Sequence, residues 1–188
     1  MVDNVQIKVV QSLLFHIQCI VWAKGAFFVT QPNLTNAHVN FRLVMEGDRW
    51  ASLDVTIGTS TIKIWLSQDH DPFCYLVDWG QRIEEGNLPI CLEIDEEDTV
   101  KRLIVLDTED PTRVLLRVAD PDPDPGSDGI FLEGMVPRVV LATLLKEELR
   151  RFFTFEFNPD QWERYEKEFN PSYVSIKDRV LRHSWLAN

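Results

Sequence analysis

Apolar residues fall at every second position through much of this chain and at every third or fourth through three further stretches. The pattern therefore predicts both strands and helices. From Val5 to Val21 every odd position except Gln11 is apolar. A helical stripe (Val9, Val10, Leu13, Leu14, Ile17, Ile20) can also be drawn there, but the Val and Ile content assigns 13–23 to a strand. Val39, Phe41, Leu43 and Met45 then share one face, and Glu46-Gly47-Asp48-Arg49 reads as a hairpin turn. Ala51, Leu53, Val55 and Ile57 form the return strand. Gly58-Thr59-Ser60 turns again into Ile62, Ile64 and Leu66. Residues 1–68 thus predict an antiparallel meander.

A change of period marks the centre of the chain. Asp71 suits an N-cap and Pro72 the first helical position. Phe73, Leu76, Val77, Gly80 and Ile83 recur at helical spacing. Gly86 can close the helix in a left-handed conformation and Pro89 prevents its continuation. Gly80 in mid-helix costs ~1 kcal/mol of propensity, which predicts a close approach of this helix, 71–87, to the sheet.

A second meander follows over 88–119, with strands at Leu88–Ile94, Val100–Leu106 and Arg113–Val118. Three prolines alternating with aspartates make 120–129 an exposed, extended loop. In the helical part, 134–188, Val136 to Phe153 carries the stripe Val140, Leu141, Leu144, Leu145, Leu149 and Phe152. Glu147, Glu148, Arg150 and Arg151 point away from it. Phe153, Phe155 and Phe157 then alternate, Gln161 to Phe169 forms a short charged helix, and the tail from Pro171 docks through its apolar residues. The expectation is a single α+β domain: antiparallel sheets from two meanders separated by one helix, with C-terminal helices packed on them.

Charge adds a direction to this picture. Net charge is −11, and residues 93–133 hold thirteen acidic against four basic residues. Nucleic acid and anionic membrane both demand positive surface, so neither is expected as a partner. A basic protein is, because opposite fields speed encounter. The carboxylates expected to meet it are Glu93, Asp95, Glu96, Glu97, Asp98, Asp107, Glu109 and Asp110. The first residues lack a basic signal-peptide region, and no segment has the ~18 apolar residues of a membrane span, which together point to a cytoplasmic protein. Cys19, Cys74 and Cys91, odd in number and in apolar surroundings, read as reduced core residues.

Candidate chemistry is sparse. The sequence has no phosphate-binding glycine loop, Gly-x-Ser-x-Gly elbow, His-Glu-x-x-His or Cys-x-x-Cys, and no cofactor is expected. Asp120, Asp122 and Asp124 match the first, third and fifth places of a calcium loop. Pro125 then replaces its glycine and Phe131 its bidentate glutamate. His16, His38 and His183 stand alone. Asp69-His70-Asp71 is the one polar cluster around a histidine: either a metal or general-base site, or a cap and turn. Trp65 falls on the face opposite Ile62, Ile64 and Leu66. It would be a binding anchor if exposed, although a sheet covered on both sides is the simpler expectation.

Two functions fit. The first is a non-enzymatic acidic protein that binds a basic protein partner, with homo-oligomerisation allowed. Small, acidic and without a catalytic signature, the chain looks in general character like bacterial toxin-neutralising immunity proteins, a likeness that implies tight, salt-sensitive association. The second is a small hydrolase or metal-dependent enzyme with its site near Asp69-His70-Asp71.

Overall fold

The alternating stretches pair into two antiparallel sheets, and the helical stretches lie between and after them, giving an α+β fold. The computed structural model describes residues 37–163, 170 and 172–187, with only the backbone given for residue 70. The strand expected at 13–23, with His16 and Cys19, and most of the helix expected at Gln161–Phe169 lie outside the described residues. Among the described residues no helix is long and apolar enough to cross a membrane.

The first sheet runs β1 (Val39–Gly47), β2 (Trp50–Ile57), β3 (Ser60–Ser67), in that order. Its register sets Leu43 opposite Leu53 and Leu53 opposite Ile64, so alternation in sequence becomes one fully buried row. The second sheet runs β4 (Ile90–Asp95), β5 (Val100–Asp107), β6 (Arg113–Ala119), β7 (Ile130–Pro137). The periodicity did not predict β7, because Gly134 interrupts its pattern. That glycine has a packing reason: a Cβ there would lie 2.5 Å from Ile57 Cγ2 and 2.9 Å from Ala37 Cβ. The backbone of β7 comes close to β2 at this point, and the Ala37 N–H donates to the Met135 carbonyl at 2.9 Å.

Between the sheets stands α1 (Pro72–Glu85), entered through one 3-10 turn, Gln68–His70. Asp71 occupies the N-cap position but does not cap. Its φ of 42° is left-handed, and its carboxylate turns away to Arg179, 2.8 Å off. The ion pair takes the group that the helix N-terminus would have used. Gly86, φ 75°, ends the helix as expected, and Arg138 donates to the Glu84 carbonyl at 2.8 Å.

The next helix, α2 (Arg138–Phe155), starts two residues later than its stripe implied, because β7 runs to Pro137. Its buried face is Leu141, Ala142, Leu145, Glu148, Leu149, Phe152 and Phe153, while Val140 is 46% exposed. The face is rotated because α2 packs against both α1 and β1. Phe153, Phe155 and Phe157 are not a strand-like run. The helix continues to Phe155, which is exposed, and Phe153 and Phe157 join Phe73, Phe152 and Trp162 in one buried aromatic cluster. Phe73 holds that cluster together, its ring centroid 5.0 Å from those of both Phe153 and Trp162. Among the described residues three short helices follow, α3 (Pro159–Trp162), α4 (Ile176–Leu181) and α5 (Ser184–Ala187). The tail docks through buried Ile176, Val180, Trp185 and Leu186.

Gly80 does mark a close approach, but to helices rather than to the sheet. A Cβ there would fall 2.3 Å from Trp185 Cη2 and 2.9 Å from Leu145 Cδ2. Gly80→Ala is therefore expected to destabilise by ~1–3 kcal/mol despite its better helix propensity, and Gly80→Leu by more, as read from urea midpoints. A neutral or stabilising Gly80→Ala would show that Trp185 yields freely.

Candidate protein interface at the acidic end

Register decides which acidic residues meet. Asp95 pairs with Val100 at the β4–β5 turn, and Arg102 on β5 pairs with Ala119 at the end of β6. The turn 96–99 and the loop 120–129 therefore open at the same end of the second sheet. Asp107 pairs with Val114, which places Asp107, Glu109 and Asp110 at the opposite end. The acidic band of the sequence is thus divided. Asp95, Glu96, Glu97 and Asp98 join Asp120, Asp122, Asp124 and Asp128, whereas Asp107, Glu109 and Asp110 are separated from them.

Several of these carboxylates are engaged within the fold. Glu93 lies cross-strand from Arg102 and accepts from its Nε at 2.6 Å. Glu96, only 7% exposed in its side chain, reaches β3: its Oε1 accepts from the Trp65 N–H at 2.8 Å. Its Oε2 accepts from the Thr99 hydroxyl at 2.6 Å and lies 3.4 Å from Lys101 Nζ. Glu97 accepts from the Ser67 hydroxyl at 2.9 Å, and its own N–H donates to Asp95 Oδ1 at 2.8 Å. With φ at 74° Glu97 stands where glycine would be relaxed, so the turn holds a carboxylate there at a conformational cost. Glu97, Asp98, Asp122, Asp124 and Asp128 face solvent. At the far end Asp110 accepts from the Thr112 hydroxyl and N–H, which hold its carboxyl below the usual range.

Beside this turn the first sheet is uncovered. Trp65 is 42% exposed, contrary to a sheet buried on both faces, because its side chain lies on the face away from the core. Trp50 meets it edge to face at 6.4 Å, and Lys63 Nζ sits 5.2 Å from its ring centre. Glu46 holds Lys63 at 2.5 Å and also accepts from Ser52. These hydrogen bonds, Lys63's foremost, lower the Glu46 carboxyl, and the same contact raises Lys63. Lys101 in turn sits 4.8 Å from the centre of the exposed Phe131 ring. Glu96 and Lys101 thus link the backbone of the exposed Trp65 to the exposed Phe131, at the end of the second sheet that carries the solvated carboxylates. Trp65 was recognisable in the sequence from its place in the alternation. Its neighbourhood with Glu96 was not, since 31 residues separate them.

The Asp69-His70-Asp71 segment is arranged differently. Asp69 pairs with Arg49 and Asp71 with Arg179, so the two carboxylates serve different arginines; the His70 side chain lies outside the described residues. Cys74 lies close by, its thiol pushed up to about 11 by burial and then by Asp71, with Arg179 partly opposing.

Two outcomes follow. Glu96→Ala should cost ~1–2 kcal/mol in urea unfolding, because it removes a charge-assisted acceptor from a strand edge, while Asp98→Ala stays within ~0.5 kcal/mol. Cys74, its thiol pushed up to about 11 by burial, should alkylate with iodoacetamide roughly a hundredfold more slowly at pH 8 than an ordinary thiol, read by mass spectrometry. Alkylation at the ordinary rate would show that its surroundings do not suppress the thiolate. In comparisons with protein-family models, curated proteins and solved structures the chain matches none, so its function must be argued from the chemistry of this end of the fold.

Proposed function

We propose that this chain is a non-enzymatic binding protein whose acidic end recognises a positively charged protein, in the manner of an immunity or inhibitor protein. The observation that carries the reading is Trp65, exposed on the sheet and tied through its backbone to the acidic turn. Large aromatic side chains bordered by charge are the usual anchors of protein interfaces: the ring supplies contact area and the surrounding carboxylates supply orientation and encounter rate. Glu97, Asp98, Asp122, Asp124 and Asp128 form the solvated rim of this surface. Glu93, Asp95 and Glu96 hold its shape. Asp107, Glu109 and Asp110 add to the long-range field from the other end. The enzymatic alternative near Asp69-His70-Asp71 has no comparable support, since its two carboxylates each pair with a different arginine, Asp69 with Arg49 and Asp71 through Oδ2 with Arg179.

Affinity capture from the native host tests the proposal. The wild-type chain should retain a basic protein at low salt and release it at high salt. Trp65→Ala should weaken that association by ~2 kcal/mol or more, read as Kd. Glu97→Lys with Asp98→Lys should lower chiefly its on-rate. Retention of the same partner at unchanged affinity by both variants would overturn it.

A further inference from the structure

Among the described residues the outer edge of β1 is met by side chains and by no further strand. Leu43 directs both backbone groups away from β2, and each meets a charge from α2. Its N–H donates to Glu148 Oε1 at 2.5 Å, and its carbonyl accepts from Arg151 Nη2 at 2.7 Å. Arg151 binds Glu148 through Nε at 2.7 Å and Glu156 through Nη1 at 2.6 Å. Glu156 in turn accepts from the Met45 N–H at 3.3 Å. Glu148 is 8% exposed, so these are not loose surface pairs. Together the three side chains offer β1 an acceptor, a donor and a second acceptor, the sequence a neighbouring strand would offer.

We propose that the Glu148–Arg151–Glu156 cluster is a strand surrogate that keeps this edge closed to a second copy of the chain. The edge itself suits self-pairing. In an antiparallel pair centred on Leu43, that residue exchanges both hydrogen bonds with its counterpart, Phe41 faces Met45, Arg42 faces Val44 and Asn40 faces Glu46. No like charges oppose one another in that register. Arg42 also pairs with Glu156, at 3.3 Å, and is 47% exposed in its side chain. An open edge of this kind is a template for association, and charge placed across it is a means of preventing that.

The test removes the surrogate and then sets the register. Glu148→Ala with Arg151→Ala, changed together so that neither charge is stranded, should roughly double the mass found by light scattering relative to the wild-type chain. Adding Val44→Lys, which sets Lys against Arg42 twice in the pair, should restore the wild-type mass. Adding Val44→Glu, which creates two opposite-charge pairs, should tighten association by about tenfold or more in Kd. If the double variant does not fold, Arg151→Lys takes its place, since an ammonium cannot bridge Glu148, Glu156 and the Leu43 carbonyl together. A folded variant series at the wild-type mass throughout overturns the proposal. So does association that Val44→Lys and Val44→Glu affect alike.

Discussion

A three-stranded sheet has two outer edges, and each presents backbone N–H and C=O groups that its own strands cannot satisfy. In this protein carboxylates borrowed from elsewhere in the chain reach both edges. Glu96, from the turn after β4, takes the Trp65 N–H on β3. Glu148 from α2 and Glu156 just past its end take the Leu43 and Met45 N–H groups on β1, with Arg151 answering the Leu43 carbonyl. The rest of the architecture depends on these contacts. Glu96 ties the second sheet to the first, and Glu148 fixes the rotation of α2 over β1. The buried face of α2 consequently includes a glutamate and excludes Val140.

The same contacts place the candidate surface. Because Glu96 anchors the β4–β5 turn against β3, the exposed carboxylates Glu97 and Asp98 stand beside Trp65. A turn free to swing would hold no fixed relation to that ring. Acidic charge at this end is thus organised in two layers. Carboxylates bound to backbone and hydroxyl groups set the geometry, and carboxylates facing water set the field. In the binding role proposed above, a rim already in place would lose less conformational freedom than one ordered by its partner.

Much of the fold was legible from periodicity. The faces of β1 to β6 and the span of α1 follow from alternation, from the turns at Gly58 and Gly86, and from Pro72. These are local choices, fixed by backbone sterics and by the need to bury one face. Reading failed where a distant partner outbid a local preference. Asp71 looked like a cap until Arg179 claimed its carboxylate. Glu148 looked like a solvent-facing charge until the edge of β1 required an acceptor. The strand β7 was not predicted, because the reason for its Gly134, the passage of Ile57 on β2 and of Ala37 just before β1, lies far off in the chain.

The candidate surface divides in the same way. The sequence by itself determined that charge concentrates in 93–133 and that Trp65 lies on the face opposite Ile62, Ile64 and Leu66, since composition and a period of two need no third dimension. Only the tertiary structure decided that Asp107, Glu109 and Asp110 stand at one end while Glu96 to Asp98 join the aspartates of the loop at the other. Strand register, a long-range property, sets which turns are neighbours, and no local pattern along the chain encodes it.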